Sequence, residues 1–309
     1  MSLRTGLGGQ EAARPSSTAA PIRERHVNRQ SLPSASIDSG EEVFTLEVPA
    51  VNETAVLVEV PHAGLAVPDA VRPQVAVTRE VVLRDSDIYV DKLYARSADL
   101  GASYLAAKVS RYVVDLNRAP DDVDPQTVPD HPDPRGVQPR GVVWRVTTDG
   151  RPALREPLTY AALERRLSLF HAPYHRALVE QLERKRERFG DAILLAAHSM
   201  PSVSRAGRNH SPRADVVPGT RGRTTADARI IECVDAHFRA AGLSVRHDDP
   251  YRGGWSTAHY GRPSERWHAV QIELNRALYV DEATSRPKDG DFEKLAEICH
   301  ALVAELGKL

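Results

Sequence analysis

The chain has only two cysteines, Cys233 and Cys299, among 309 residues. Two thiols cannot build a disulfide framework, which excludes a small bridged scaffold and suits a reducing compartment. Net charge is almost absent as well, since 41 basic and 42 acidic side chains leave −1. Arginines outnumber lysines but are scattered among acids, so no overall field gathers nucleic acid or a membrane surface. No apolar run approaches the roughly 18 residues needed to span a bilayer, and the N-terminus lacks the apolar stretch of a signal peptide. There is no Gly-x-Ser-x-Gly elbow around Ser199 and no His-Glu-x-x-His, so neither a serine hydrolase nor a helix-borne zinc site is indicated. A soluble, cytoplasmic protein is the expectation.

Residues 1–40 are rich in Ser, Ala, Pro, Gly and Arg without hydrophobic periodicity and read as a disordered tail. Residues 41–309 read as one folded domain. Alternation over Val43–Val48, and apolar runs at Ala55–Val60, Ala102–Lys108, Tyr112–Leu116, Ala192–Ala197 and His268–Leu274, predict strands. A short strand is predicted over Leu243–Arg246. Three- and four-residue apolar spacing predicts helices over Ser86–Leu100, Leu158–Phe189, Thr224–Ala241 and Asp291–Leu306. The Pro- and Asp-rich stretch Asp121–Arg140, the polar Ser202–Arg223 and the Gly-containing Tyr251–Gly261 are predicted loops. Alternating strands and helices define an α/β domain whose central sheet is mixed and largely parallel, flanked by helices.

Four of the apolar runs end in residues suited to a site: Pro61-His62-Ala63-Gly64, Asn117-Arg118, His198-Ser199, and Glu273-Leu274-Asn275-Arg276. In an open α/β sheet, ligands bind beyond the carboxyl ends of the strands. His62 and His198 are imidazoles at such ends, and zinc sites need two or three nitrogen or oxygen ligands plus an open position. Asp85 and Asp87 offer a carboxylate at a predicted helix start, where a cap also belongs. Glu273 suits a general base if it faces a cleft, where burial raises its pKa. Arg111 and Arg118 carry the guanidinium fork that matches carboxylates, although Arg118 can equally pair with Asp115, Asp121 or Asp122. His171 and His175 are four apart on a helical pattern, a spacing better explained by packing than by a shared metal.

Taken together, eight segments resemble the N-formylglutamate amidohydrolase family over about Leu57 to Glu282. They are Val60–Gly64, Asp85–Asp87 with Asp91–Tyr94, Ser110–Arg118, Pro173–His175, Ala197–Ser199, Arg252–Gly254, His259–Pro263 and Val270–Leu274. The resemblance implies a phosphorylase/hydrolase-like fold akin to zinc carboxypeptidases, with one zinc ion per chain held by His62, Asp87 (favoured over Asp85) and His198. It implies Glu273 as general base, and Arg111 would then either assist Arg118 at the substrate carboxylate or stabilise the oxyanion. Asn117, Arg118, Gly254, Trp255 and Tyr260 are implied to bind a small-molecule N-acyl amino acid, and formate and glutamate are the products for the namesake substrate. No nucleic-acid or membrane partner is implied, and a homo-oligomer is allowed. Alternatives that remain open are the same chemistry on another N-acyl amino acid or small peptide, and a non-catalytic ligand-binding protein. The chain departs from the family pattern at Ala196, where an aspartate is usual, and at Trp255, where a histidine is expected.

Overall fold

The structure, a computed structural model, describes residues 29–31, 42–203 and 212–309. Among the described residues seven strands form one sheet in the order β1-β2-β4-β3-β5-β7-β6. They are β1 (Arg29–Ser31), β2 (Phe44–Pro49), β3 (Val56–Val60), β4 (Ser103–Ala107), β5 (Ala192–Met200), β6 (Val216–Gly219) and β7 (Trp267–Asn275). The four central strands β4, β3, β5 and β7 run parallel, while β1, β2 and β6 pair antiparallel at the two edges. The mixed, largely parallel α/β sheet expected from the sequence is therefore present. The predicted tail lies outside the described residues, apart from Arg29–Ser31 in β1.

Helices cover both faces. On one side pack α1 (Arg79–Asp85), α2 (Val90–Leu93), α5 (Ala228–Ala240) and α7 (Asp291–Leu306). Here Ile230, Val234 and Phe238 of α5 and Leu295, Cys299, Leu302 and Leu306 of α7 meet Val58, Ile193, Leu195 and Ile272 of the sheet. On the other side lie α3 (Tyr160–Arg166), α4 (Ala172–Phe189) and α6 (Trp255–Tyr260). Tyr174, Leu178 and Leu182 of α4 lie on one stripe at four-residue spacing and cover Leu57, Leu105, Leu194 and Ala269. Fully burying each such aliphatic side chain contributes roughly 2 kcal/mol. A two-strand ribbon, β8 (Val280–Asp281) with β9 (Arg286–Pro287), follows β7. Among the described residues no helix is long and apolar enough to cross a membrane.

Several predicted elements differ. Tyr112–Leu116 is not a strand but a chain of turns after β4. Its backbone groups are claimed elsewhere: Asp115 N donates to Val142 O, and the buried Arg166 donates to Tyr112 O and Val113 O. Burial without a ladder had produced an apolar run. Of the helix predicted over Ser86–Leu100 only the short α2 and a 3-10 turn over Ala98–Leu100 form, and α1, which the sequence reading did not include, ends just before it at Asp85, with Ser86 extended between α1 and α2. The helix over Leu158–Phe189 starts at Tyr160, where the Thr159 hydroxyl caps it, and contains a π turn at Leu167–His171. Leu243–Arg246 makes only one bridge, Val216 with Val245. The loops predicted over Ser202–Arg223 and Tyr251–Gly261 contain β6 and α6 respectively.

Candidate active site

From β3 the chain goes to β4 on one side and later to β5 on the other, so the strand order reverses between β3 and β5. A crevice opens at such a switch point, beyond the carboxyl ends of the strands. His62 leaves β3 through Pro61-His62-Ala63-Gly64, where Gly64 packs so closely on the carbonyls of Lys108 and Val109 that a side chain would collide. His198 lies near the end of β5, and its register partner on β7 is Glu273. Asp87 arrives from the extended break after α1, and its N–H donates to His62 O at 3.0 Å. The broken helix thus brings a carboxylate to the strand ends.

These residues converge. His62, Asp87 and His198 are all buried, with one potential ligand atom from each lying within 4.8 Å of the others. His198 Nδ1 is 3.0 Å from Asp87 Oδ2, His62 Nδ1 is 3.6 Å from the same oxygen, and the two rings are 4.9 Å apart. Two imidazoles and a carboxylate are the donor types of a catalytic zinc site, so the chemistry of the set fits that ion. A second layer fixes the ligands. His62 Nε2 donates to Asp115 Oδ1 at 2.7 Å, and Asp115 Oδ2 accepts from Trp144 Nε1 at 2.9 Å. Arg276 Nη2 donates to Asp87 Oδ1 at 3.2 Å. A carboxylate behind a ligating imidazole sets its tautomer and orientation. Burial opposes ionisation of Asp87 but is outweighed by His198 and His62, which hold its pKa well below the usual carboxylate range. Asp85 instead accepts from Arg84, Tyr112 and Thr148 outside the cluster.

Glu273 is buried at the wall of a cleft of about 570 Å³. Burial pushes its carboxyl up to about 7, partly offset by the positive field of His198 and reinforced by Asp87. That value suits a group exchanging protons near neutrality. Gln271, two residues back on the same face of β7, donates from Nε2 to Glu273 Oε1 at 2.9 Å. Its Oε1 accepts from Gly254 N at 2.8 Å and Asn117 Nδ2 at 3.3 Å. Sequence reading singled out neither Gln271 nor Trp144. The period-two spacing of Gln271 from Glu273 was the available signal for the first.

The remaining named residues divide. Arg111, Asn117, Arg118 and Gly254 line the cleft with the metal-type cluster and Glu273. Arg111 contacts His62 Nδ1 and donates to Asp85 O at 3.2 Å. The Asn117 amide is engaged by protein: Oδ1 accepts from Ser256 N at 2.9 Å, and Nδ2 faces His198 Nε2 and Gln271 Oε1. A side chain at Gly254 would collide with that amide. Arg118 is half exposed, its nearest carboxylate being Asp122 at 3.7 Å. Trp255 and Tyr260 are not among the cleft-lining residues. Trp255 stacks on His259 and packs against His175, and Tyr260 Oη bonds His175 Nδ1 at 2.9 Å. His171 and His175 bond the carbonyls of Arg118 and Leu116 at 3.0 and 2.9 Å, so they pin the Leu116–Arg118 segment.

Fold and site together define an α/β protein with a buried His-Asp-His cluster and an arginine-rich cleft at the switch point of its sheet. Residues 54–280 match the family described as N-formylglutamate amidohydrolase, and the chain belongs to that family. It is 35% identical over 259 residues to N-formylglutamate deformylase of Pseudomonas aeruginosa, spanning 81% of this chain and 90% of that protein. Against the deformylase of Pseudomonas putida, identity is 36% over 235 residues, or 73% of this chain and 82% of that one. Among solved structures, N-formylglutamate amidohydrolase from Ralstonia eutropha JMP134 superposes with a TM-score of 0.78 at 31% identity, covering 86% of this chain and 97% of that one. The family resemblance read from the eight segments is borne out.

Proposed function

We propose that this chain is a zinc-dependent amidohydrolase that cleaves the amide of an N-acyl amino acid, foremost N-formyl-L-glutamate to formate and L-glutamate, in the cytoplasm. The observation that carries the reading is the register pairing of His198 with Glu273, which sets a buried carboxyl with a pKa near 7 beside a His-Asp-His ligand set. The relatives named N-formylglutamate deformylase support the substrate. Zinc held by His62, Asp87 and His198 would supply Lewis acidity toward the amide carbonyl and toward water.

The protein's own groups do the rest. Glu273 takes a proton from the attacking water and returns it to the departing amine nitrogen. Gln271 orients the Glu273 carboxyl by donating to its Oε1. Arg111 places positive charge beside His62, where the oxyanion develops as the carbonyl is attacked. Arg118 holds the substrate's α-carboxylate, while Asn117, whose amide is taken by protein groups, positions the wall behind it. The test is metal analysis of protein purified without chelator, combined with formate release from N-formyl-L-glutamate. About one zinc per chain with turnover that a chelator abolishes is expected. Full activity in metal-free protein would overturn the proposal.

A further inference from the structure

The cleft holds a cation that the chemistry above does not use. Of the arginines lining it, Arg84, Arg111, Arg118 and Arg276 have carboxylate neighbours, whereas Arg140, Arg213 and Arg252 have none among the described residues. Of these three, Arg213 is the one held by a cleft-lining tyrosine hydroxyl. Its Nη1 donates to Pro201 O at 2.9 Å and to Tyr251 Oη at 3.3 Å, and its guanidinium lies 5.3 Å from the centroid of the Tyr251 ring. These contacts fix the head without cancelling its charge. Residues 204–211, next to it in the chain, include no Asp or Glu.

Position adds to this. Arg118 comes from the segment after β4, on one flank of the parallel core. Arg213 precedes β6 on the other flank. Val216, the first residue of β6, is opposite Leu274 near the carboxyl end of β7. The His62, Asp87, His198 and Glu273 group sits at the ends of β3, β5 and β7, between the two arginines in strand order. Tyr251, which carries Arg213, lines the same cleft as that group, and so does Arg213.

We infer that Arg213, presented by Tyr251, is the residue that binds the side-chain carboxylate of an N-acyl glutamate. The inference rests on the hydrolase reading above, in which Arg118 takes the α-carboxylate. A monoanionic substrate leaves Arg213 partly desolvated and without a carboxylate among the described residues, whereas a second carboxylate meets Nε and Nη2, which no described residue engages.

The experiment compares kcat/KM on N-formyl-L-glutamate and N-formyl-L-glutamine for the zinc-loaded wild type, Arg213→Gln, Arg213→Lys and Arg118→Gln. Wild type is expected to prefer the glutamate substrate. Arg213→Gln should lose about 10- to 100-fold on N-formyl-glutamate, the range for removing a charged hydrogen bond, and little on N-formyl-glutamine. Arg213→Lys should keep part of the preference, and Arg118→Gln should weaken both substrates alike. Equal losses on both substrates in Arg213→Gln, or an unchanged preference, overturn the inference while leaving the hydrolase reading intact. A wild type inactive on both overturns the hydrolase reading, and the inference with it.

Discussion

Gln271 Nε2 donates to Glu273 Oε1 at 2.9 Å, from two residues earlier on the same face of β7. The same amide accepts from Gly254 N and Asn117 Nδ2, so one side chain ties the base to the loop ahead of α6. Gln271→Leu keeps the volume but frees the carboxylate and leaves a half-buried N–H unpaired. Steady-state kinetics should show kcat reduced by about 10- to 100-fold, part of the range that positioned acid–base groups supply, with zinc content unchanged. A change confined to KM would remove Gln271 from the support of the base.

Asp115 stands behind His62 and is itself held by Trp144 and by Asn117 N. Burial opposes its ionisation, but His62 and Arg111 outweigh this and keep it ionised. Asp115→Asn should weaken metal affinity by about 10- to 100-fold, as loss of such an outer carboxylate does, whereas His198→Ala should abolish stoichiometric binding. Competition with a chromogenic chelator measures both. Equal affinity in Asp115→Asn and wild type would show that His62 needs no orienting partner.

The parts legible in the sequence were those with strong local causes. Apolar runs gave β3, β5 and β7, and the polar residues at their ends gave His62, His198 and Glu273. The edge strand β6 hid in a polar, Pro-containing stretch because an antiparallel edge needs no continuous apolar run. Tyr112–Leu116 misled in the opposite direction, being buried with its carbonyls satisfied by Arg166. Which aspartate joins the cluster was invisible to spacing. It depends on the extended conformation at Ser86, which turns Asp87 toward His62 and leaves Asp85 to Arg84 and Thr148. The roles of Gln271 and Trp144 arise from tertiary contacts that no local pattern encodes.

Glu59 on β3 offers a test of stability that is independent of catalysis. It is fully buried between its register neighbours Leu105 and Ala196, Oε1 accepts from Ser256 Oγ at 3.1 Å, and the Tyr174 hydroxyl faces the carboxyl. Burial pushes its carboxyl from an ordinary value near 4.5 up to about 8. Between those values the folded chain holds a proton that the unfolded chain has released, so this group's contribution is full below about pH 4.5 and is lost as pH rises toward 8. Glu59→Gln removes the titration. Thermal unfolding at pH 5 and pH 8 should therefore show a larger fall in Tm for wild type than for the variant. Identical falls would place the proton of Glu59 outside the folding equilibrium.

The raised pKa of Glu273 shapes the pH profile of the reaction. A base works only when ionised, and burial holds this carboxyl near 7 rather than near 4.5. Rate should therefore climb with pH as this carboxyl ionises, with the midpoint raised by burial and drawn down by His198 and by the charge of the bound metal. Glu273→Gln keeps the size and the bond from Gln271's neighbourhood but cannot accept a proton. It should lower kcat by about 100- to 10,000-fold, erase the rising limb in whatever activity remains, and leave His62, Asp87 and His198 able to bind zinc. If the variant kept the rising limb, the titrating group would have to be another member of the cleft, and Glu273 would lose its place as the base.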